Sequence, residues 1–304
     1  MPKRPSRIGL RATALPAAAG ESPSRGARVW WLGQAGFLIR GPEAAFIIDP
    51  YLSDSLAEKY RGREFPHVRM MPVPIQPDQL APVDAVLVTH GHTDHLDPGT
   101  LPGLAAANPR AVFVLPRAVV NLALERGVPG ERILSCTAGE SVSVPRSRGG
   151  ATDVTGGAGG TVDVNAVASA HERLATDEEG NHLYLGYVFT LGGVTFYHSG
   201  DSVPYPGLVE VLAPQSIDVA LLPVNGRDEY RASRGVPGNF TVAEARELAG
   251  KIGASYVVAH HFGMFDFNTV SRTEAKQALQ IEEKRASRRT EPILPEVGIV
   301  YHFA

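Results

Sequence analysis

The 304-residue sequence predicts a layered α/β domain in which two sheets pack together with helices outside them. Three observations carry this. Short apolar runs of strand length at 84–89, 111–115, 218–224 and 255–259 alternate with helical patterns. A hydrophobic content of 43% and a charged content of 20% are those of a globular protein. Histidines and acids gather where the apolar runs end, at His90, His171, Asp201 and His260-His261.

From Arg28 the run V-W-W-L-G-Q-A-G-F-L-I-R, a Gly41-Pro42 turn and A-A-F-I-I-D read as a hairpin ending at Asp49. Residues 51–81 lack a period and hold several prolines, so they are expected to form a long loop over one face, able to wall a pocket. Strands follow at 84–89, 111–115 and 132–134, with helices at 98–107 and 117–126. Asp97-Pro98 is the expected start of the first of these helices. The glycine-rich stretch 146–161 is expected to join two strands. Beyond it strands are expected at 162–169, 183–191, 193–198 and 218–224. Thr241-Val-Ala-Glu244 has the capping-box pattern of a helix start, with Gly250 as its expected end. A strand over 255–259, a helix near 271–286 and a strand at 297–303 complete the chain. Residues 1–27 are expected to be a flexible extension and 28–304 a single domain.

Composition excludes several functions. A net charge of -3, from 29 basic and 32 acidic residues without a single-sign block, shows no nucleic-acid-binding stripe. No apolar segment approaches the roughly 20 residues of a membrane span. The N-terminus lacks the apolar core of a signal peptide. The single cysteine, Cys136, has no partner for an intramolecular disulfide and is expected to be buried. A soluble, cytoplasmic protein with a small-molecule substrate is the expectation, with a homo-oligomer left open.

The stretch V-T-H-G-H-T-D-H-L-D, residues 88–97, places His90, His92, Asp94 and His95 at a strand end. On an extended segment His90 and His92 point the same way, and a tight turn can bring Asp94 and His95 to a neighbouring point. Imidazole and carboxylate are metal ligands, so a solvated polar loop is the poorer reading of four such groups together. His171, Asp201 and the His260-His261 pair can converge on them, because loops at strand ends build the sites of layered α/β folds. His67, His182 and His302 are read as surface or packing residues, and His198 as a structural histidine.

These motifs resemble the metallo-β-lactamase superfamily, and within it the branch holding the ascorbate-6-phosphate lactonases. The resemblance runs from about Val29 to Phe267, through V-W-W-L-G-Q-A-G, V-D-A-V-L-V-T-H-G-H-T-D-H-L-D, Y-H-S-G-D-S, I-D-V-A-L and V-V-A-H-H-F. It implies a four-layer αββα sandwich. It also implies two divalent ions, zinc or manganese with iron as a further candidate. His90, His92 and His171 would hold one ion; Asp94, His95 and His261 would hold the other; Asp201 would bridge. Asp49 matches an aspartate that supports the ligands, and His260 is left as a support or a substrate-facing group. S-A-H-E around His171 is nearer the general superfamily pattern than that of some lactonase relatives.

Such a centre lowers the pKa of water toward roughly 7 and polarises a carbonyl or phosphoryl oxygen. The expected reaction is hydrolysis of a small, anionic lactone, ester or amide, with Asp94 and Asp201 orienting the nucleophile. Asn225 and Arg227, in the arginine-bearing stretch 225–240, are expected to touch substrate. Two other readings stand beside it: a phosphodiesterase of the N-acyl phospholipid or nuclease type, and a metal-binding sensor without turnover.

Overall fold

The computed structural model describes residues 6–9, 22–146, 160–280 and 290–304. Two mixed sheets form its centre. The first runs in the order β1 (Ser6–Gly9), β15 (Ile299–Phe303), β2 (Ala27–Gly33), β3 (Gly36–Arg40), β4 (Ala45–Ile48), β5 (Ala85–Leu87), β6 (Val112–Pro116) and β7 (Ile133–Cys136). The second runs in the order β14 (Glu291–Ile293), β13 (Tyr256–His260), β12 (Val219–Pro223), β11 (Val194–His198), β10 (Leu185–Leu191), β9 (Thr161–Ala168) and β8 (Ser141–Pro145).

The two sheets repeat one plan. From β2 to β7 the pairings are antiparallel, antiparallel and then three times parallel. From β9 to β14 the same series recurs. No repeat is visible in the residues themselves, because burial on both faces constrains only hydrophobicity and size.

Side-chain alternation sorts the layers. In β4, Phe46 and Ile48 join the cluster between the sheets, while Ala45 and Ile47 join the cluster beneath the helices of the first sheet. That outer cluster is closed by Leu101 and Leu104 of α2 (Leu101–Ala107) and Ala123 of α3 (Val120–Glu125). Across the second sheet lie α4 (Leu208–Leu212), α6 (Val242–Lys251) and α7 (Arg272–Gln280). They pack Leu212, Ala245, Leu248 and Leu279 into the core. The result is the αββα sandwich. Cys136 is buried, which pushes its thiol up to about 12 and leaves it unreactive.

Several local expectations shift. Within residues 1–27, Ser6–Gly9 pair antiparallel with β15 and Ala27 opens β2; residues 1–5 and 10–21 lie outside the described residues. The helix expected to start at Asp97-Pro98 begins at Leu101. The Asp97 carboxylate instead accepts from the hydroxyls of Ser53, Ser55 and Thr100 and from the Gly99 amide. It ties the histidine loop to the segment after β4. The expected capping box is present, with Glu244 N donating to Thr241 Oγ1 at 3.2 Å and Thr241 N to Glu244 Oε2 at 2.9 Å. Its helix passes Gly250 and stops before Gly253, which has φ +73°.

The 51–81 segment carries α1 (Ser55–Lys59) and a single 3-10 turn. Strands β8 and β14 and the short helices α4 and α5 (Glu229–Ala232) were not anticipated individually. They span three to five residues, too few to show a period. Most of the glycine-rich stretch (147–159) and residues 281–289 of the expected last helix lie outside the described residues. No helix among the described residues is long and apolar enough to cross a membrane.

Candidate metal centre

Parallel pairing aligns the carboxyl ends of β4 and β5 in one sheet and of β11, β12 and β13 in the other. At that edge the strands release Asp49, Thr89-His90, Gly200-Asp201 and His261, while His171 follows β9. Ligand sites in such folds form at this edge because the chain must leave the sheet there.

Three groups of donor atoms converge: His90, His92 and His171; His90, His95 and Asp201; Asp94, His95 and His261. His92 Nδ1 lies 3.0 Å from His90 Nε2 and 3.2 Å from His171 Nε2. Asp201 stands between the sets. Its Oδ1 is 3.4 Å from His95 Nε2, and its Oδ2 is 3.1 Å from His261 Nε2 and 4.0 Å from His171 Nε2. Asp94 Oδ2 is 3.7 Å from both His95 Nε2 and His261 Nε2.

Asp49 orients this cluster from beneath. Its Oδ1 accepts from Thr89 N at 2.8 Å, and its Oδ2 accepts from Thr89 Oγ1 at 2.6 Å and His95 Nδ1 at 2.7 Å. The residue holds φ +42°, a left-handed conformation that a strand-terminating aspartate can adopt. His95 Nε2 and Asp201 Oδ1 are buried without a hydrogen-bond partner. Buried polar atoms are rarely left so, and an oxygen and a nitrogen aimed at a shared point suit a divalent cation.

Electrostatics agree. Burial opposes charge on Asp201, but His261 and His95 outweigh it and hold the carboxyl well below its usual range. Burial likewise opposes charge on His95, yet Asp201, Asp49 and Asp94 push that imidazole well above its usual value. His90 is driven well below its ordinary value and His171 down to about 4, chiefly by burial. His90, His92 and His171, held neutral beside ionised carboxylates, are in the state that binds metal, whereas His95 carries a proton that an incoming cation would displace.

The remaining expected residues divide. His260 is fully buried, stacks on His198 at 4.7 Å with the rings 10° apart, and has no hydrogen-bond partner at either nitrogen. It belongs to no donor group and does not face the cleft. His198 is structural as expected, donating from Nε2 to Ala35 O at 2.9 Å and accepting Gly200 N at Nδ1 at 3.0 Å. It braces the turn that presents Asp201. Asn225 and Arg227 do not line the cleft, contrary to expectation. Arg227 binds both carboxylate oxygens of Glu244 at 2.7 Å, and Asn225 is buried against Asn239 and Asn268.

Sequence reasoning missed three contributors. Gln34, at φ +50° in the β2-β3 turn, donates from Nε2 to Asp94 Oδ2 at 2.8 Å, with His261 Nε2 3.0 Å away. The Tyr184 ring packs 5.2–5.3 Å from those of His171 and His90. His67, read as a surface or packing residue, does pack against Tyr60 and Phe267, and it lines the cleft as well. The positive φ enforced beside Gly33 was the available signal for Gln34; Tyr184 and His67 had none. Above the centre opens a cleft of about 640 Å³, with His92, Asp94, His171, Asp201 and His261 at its base.

Fold and site together define a protein of αββα architecture built around a cluster of histidines and aspartates that could hold a metal ion. The chain belongs to the metallo-β-lactamase superfamily: the family model described as a beta-lactamase superfamily domain matches residues 44–262. Over 298 residues it is 30% identical to a metal-dependent hydrolase of Myxococcus xanthus, covering 95% of this chain and 87% of that one. It is 23% identical over 289 residues to a protein described as a probable L-ascorbate-6-phosphate lactonase of Escherichia coli, covering 89% and 79%. An isothiocyanate hydrolase from Delia radicum gut bacteria shares the fold with a TM-score of 0.65 at 18% identity, covering 91% and 99%. A metal-dependent hydrolase of this superfamily is the class to which the chain is assigned.

Proposed function

We propose that the chain hydrolyses a small, anionic lactone, ester or amide with two divalent ions, zinc or manganese. The observation that carries this is the placing of Asp201: one oxygen faces His95 and the other faces His261 and His171, so a single carboxylate spans both donor sets. His90, His92 and His171 would hold one ion, and Asp94, His95 and His261 the other. When bound, such ions lower the pKa of water and polarise the oxygen of the bond to be cut.

The residues do the rest. Asp49 fixes the His95 tautomer by accepting Nδ1–H, leaving Nε2 for coordination. Asp94, steadied by Gln34, and Asp201 orient the attacking water through their oxygens. The segment 56–67 walls one side of the cleft above these residues. Its volume falls in the range of small-molecule sites. The relative described as a probable lactonase supports an acyl bond of this kind.

The test is a panel of lactones, esters, amides and phosphodiesters assayed on protein stripped with a chelator and reloaded with zinc or manganese. Hydrolysis restored by metal is expected. Full activity in thoroughly stripped protein would end this reading, and turnover confined to phosphodiesters would move the assignment to that class.

A further inference from the structure

The wall of the cleft facing the metal ligands is built by two segments that supply none of the donor groups. Residues 56–67 supply Lys59, Tyr60, Phe65 and His67, and the stretch after β13 supplies Phe265 and Phe267. The first segment has little regular structure, yet it is pinned. Arg69 Nη1 donates to Tyr51 O at 3.0 Å and Ser53 O at 3.3 Å, and Met70 N donates to Met264 O at 2.8 Å.

The rings are ordered against one another. His67 stacks on Tyr60 with centroids 4.2 Å apart and meets Phe267 edge-on at 4.7 Å; Phe65 stacks on Phe267 at 4.6 Å. His67 is held at φ +53°, and its Nδ1 donates to Phe65 O at 2.6 Å. That bond leaves Nε2 without a protein partner among the described residues. A left-handed histidine is an uncommon conformation that its surroundings must enforce, and such residues concentrate at ligand sites.

Charge on this wall is unbalanced. Glu64 is taken by Arg234 at 2.9 Å. Lys59 Nζ lies 3.4 Å from Thr93 Oγ1, between two expected metal ligands in sequence, and neither Lys59 nor Arg63 has a carboxylate partner among the described residues. Both cations are exposed, and Lys59 Nζ stands 5.2 Å over the Tyr60 ring, so an anionic group paired with Lys59 would lie beside that aromatic face.

We propose that Lys59 and the Tyr60-Phe65-His67-Phe267 wall form a substrate subsite for a small organic anion with a flat, apolar body. Lys59 pairs with the anionic group, the rings cover the planar body, and the bond to be cut is left over the metal ligands. The subsite rests on the hydrolase reading for its meaning, but its binding is separable from catalysis.

The experiment titrates benzoate, cyclohexanecarboxylate and benzyl alcohol calorimetrically into the full chain, both chelator-stripped and zinc-loaded, with Lys59→Gln and Phe65→Leu as variants and thermal melts to verify folding. Benzoate is expected to bind most tightly in both forms. Lys59→Gln should weaken benzoate roughly two- to fivefold and leave benzyl alcohol unchanged. Phe65→Leu should weaken benzoate by about two- to tenfold while sparing cyclohexanecarboxylate. Equal binding of the three probes, no binding of any, or benzoate binding confined to the zinc-loaded form overturns the subsite. Benzoate binding without metal-dependent hydrolysis of any panel substrate would instead remove the hydrolase reading and leave the subsite standing.

Discussion

Asp49 and His95 are joined by a 2.7 Å hydrogen bond from imidazole Nδ1 to carboxylate Oδ2, and both side chains are fully buried. The bond turns His95 Nε2 toward Asp201 and leaves it without another partner. Asp49→Asn keeps a side chain that tolerates the left-handed backbone and removes the charge. Metal affinity should fall by about 10- to 100-fold, read by competition with a chromophoric chelator. Unchanged affinity would show that Asp49 only packs.

Metal removal should cost stability as well as activity. A folded state that binds an ion at 100 times its Kd gains about 2.7 kcal/mol over the stripped protein. A rise in Tm on zinc addition that is absent in Asp201→Ala is the expected result. An identical rise in both would place the ion elsewhere.

Acid should destabilise the stripped protein between about pH 6.5 and 4. The folded state depresses His171 to about 4, with His90 and His260 lowered in the same direction, all chiefly by burial. In that window the unfolded chain binds more protons, so stability rises with pH. Asp201, depressed in the fold, adds stability that is lost at still lower pH. His95, raised in the fold, works in the opposite sense, losing its contribution as pH climbs. Melts from pH 7.5 to 4.5 test the balance, and a flat Tm would refute it.

Gly200→Ala should disturb the centre without touching a ligand. At φ +61° the added Cβ would lie 2.8 Å from Thr89 Cβ and 2.9 Å from Leu185 O. Overpacking of this kind costs on the order of 1–3 kcal/mol, and the turn to Asp201 must move. Chemical denaturation together with zinc affinity reads both effects.

Arg227→Ala should leave KM for the substrate unchanged and cost no more than about 1 kcal/mol in denaturation, since its partner is the partly exposed Glu244. A raised KM would return Arg227 to the cleft.

Most of the centre was legible because a metal site needs many ligand-type side chains at strand ends, and His90, His92, Asp94 and His95 announce themselves in six positions. The wall was not. His67 lies in an aperiodic loop, and only the pinning of that loop by Arg69 and Met70 brings its ring against Tyr60 and Phe267. Arg227 was ambiguous because an arginine after a strand end suits an anion equally whether that anion is a substrate or the Glu244 carboxylate, with which it pairs in the fold.

By itself the sequence determined most strands of the two sheets, through runs of buried apolar residues, and the ligand-type side chains of the candidate centre, which have little other reason to crowd together. The tertiary structure decided which of His260 and His261 reaches the donors, which aspartate oxygen faces which histidine, and what walls the cleft. Those outcomes depend on parallel register and loop anchoring between residues far apart in the chain. Hydrophobic pattern specifies that strands pair, whereas the direction of a side chain at the end of a strand is set by the turn its neighbours enforce.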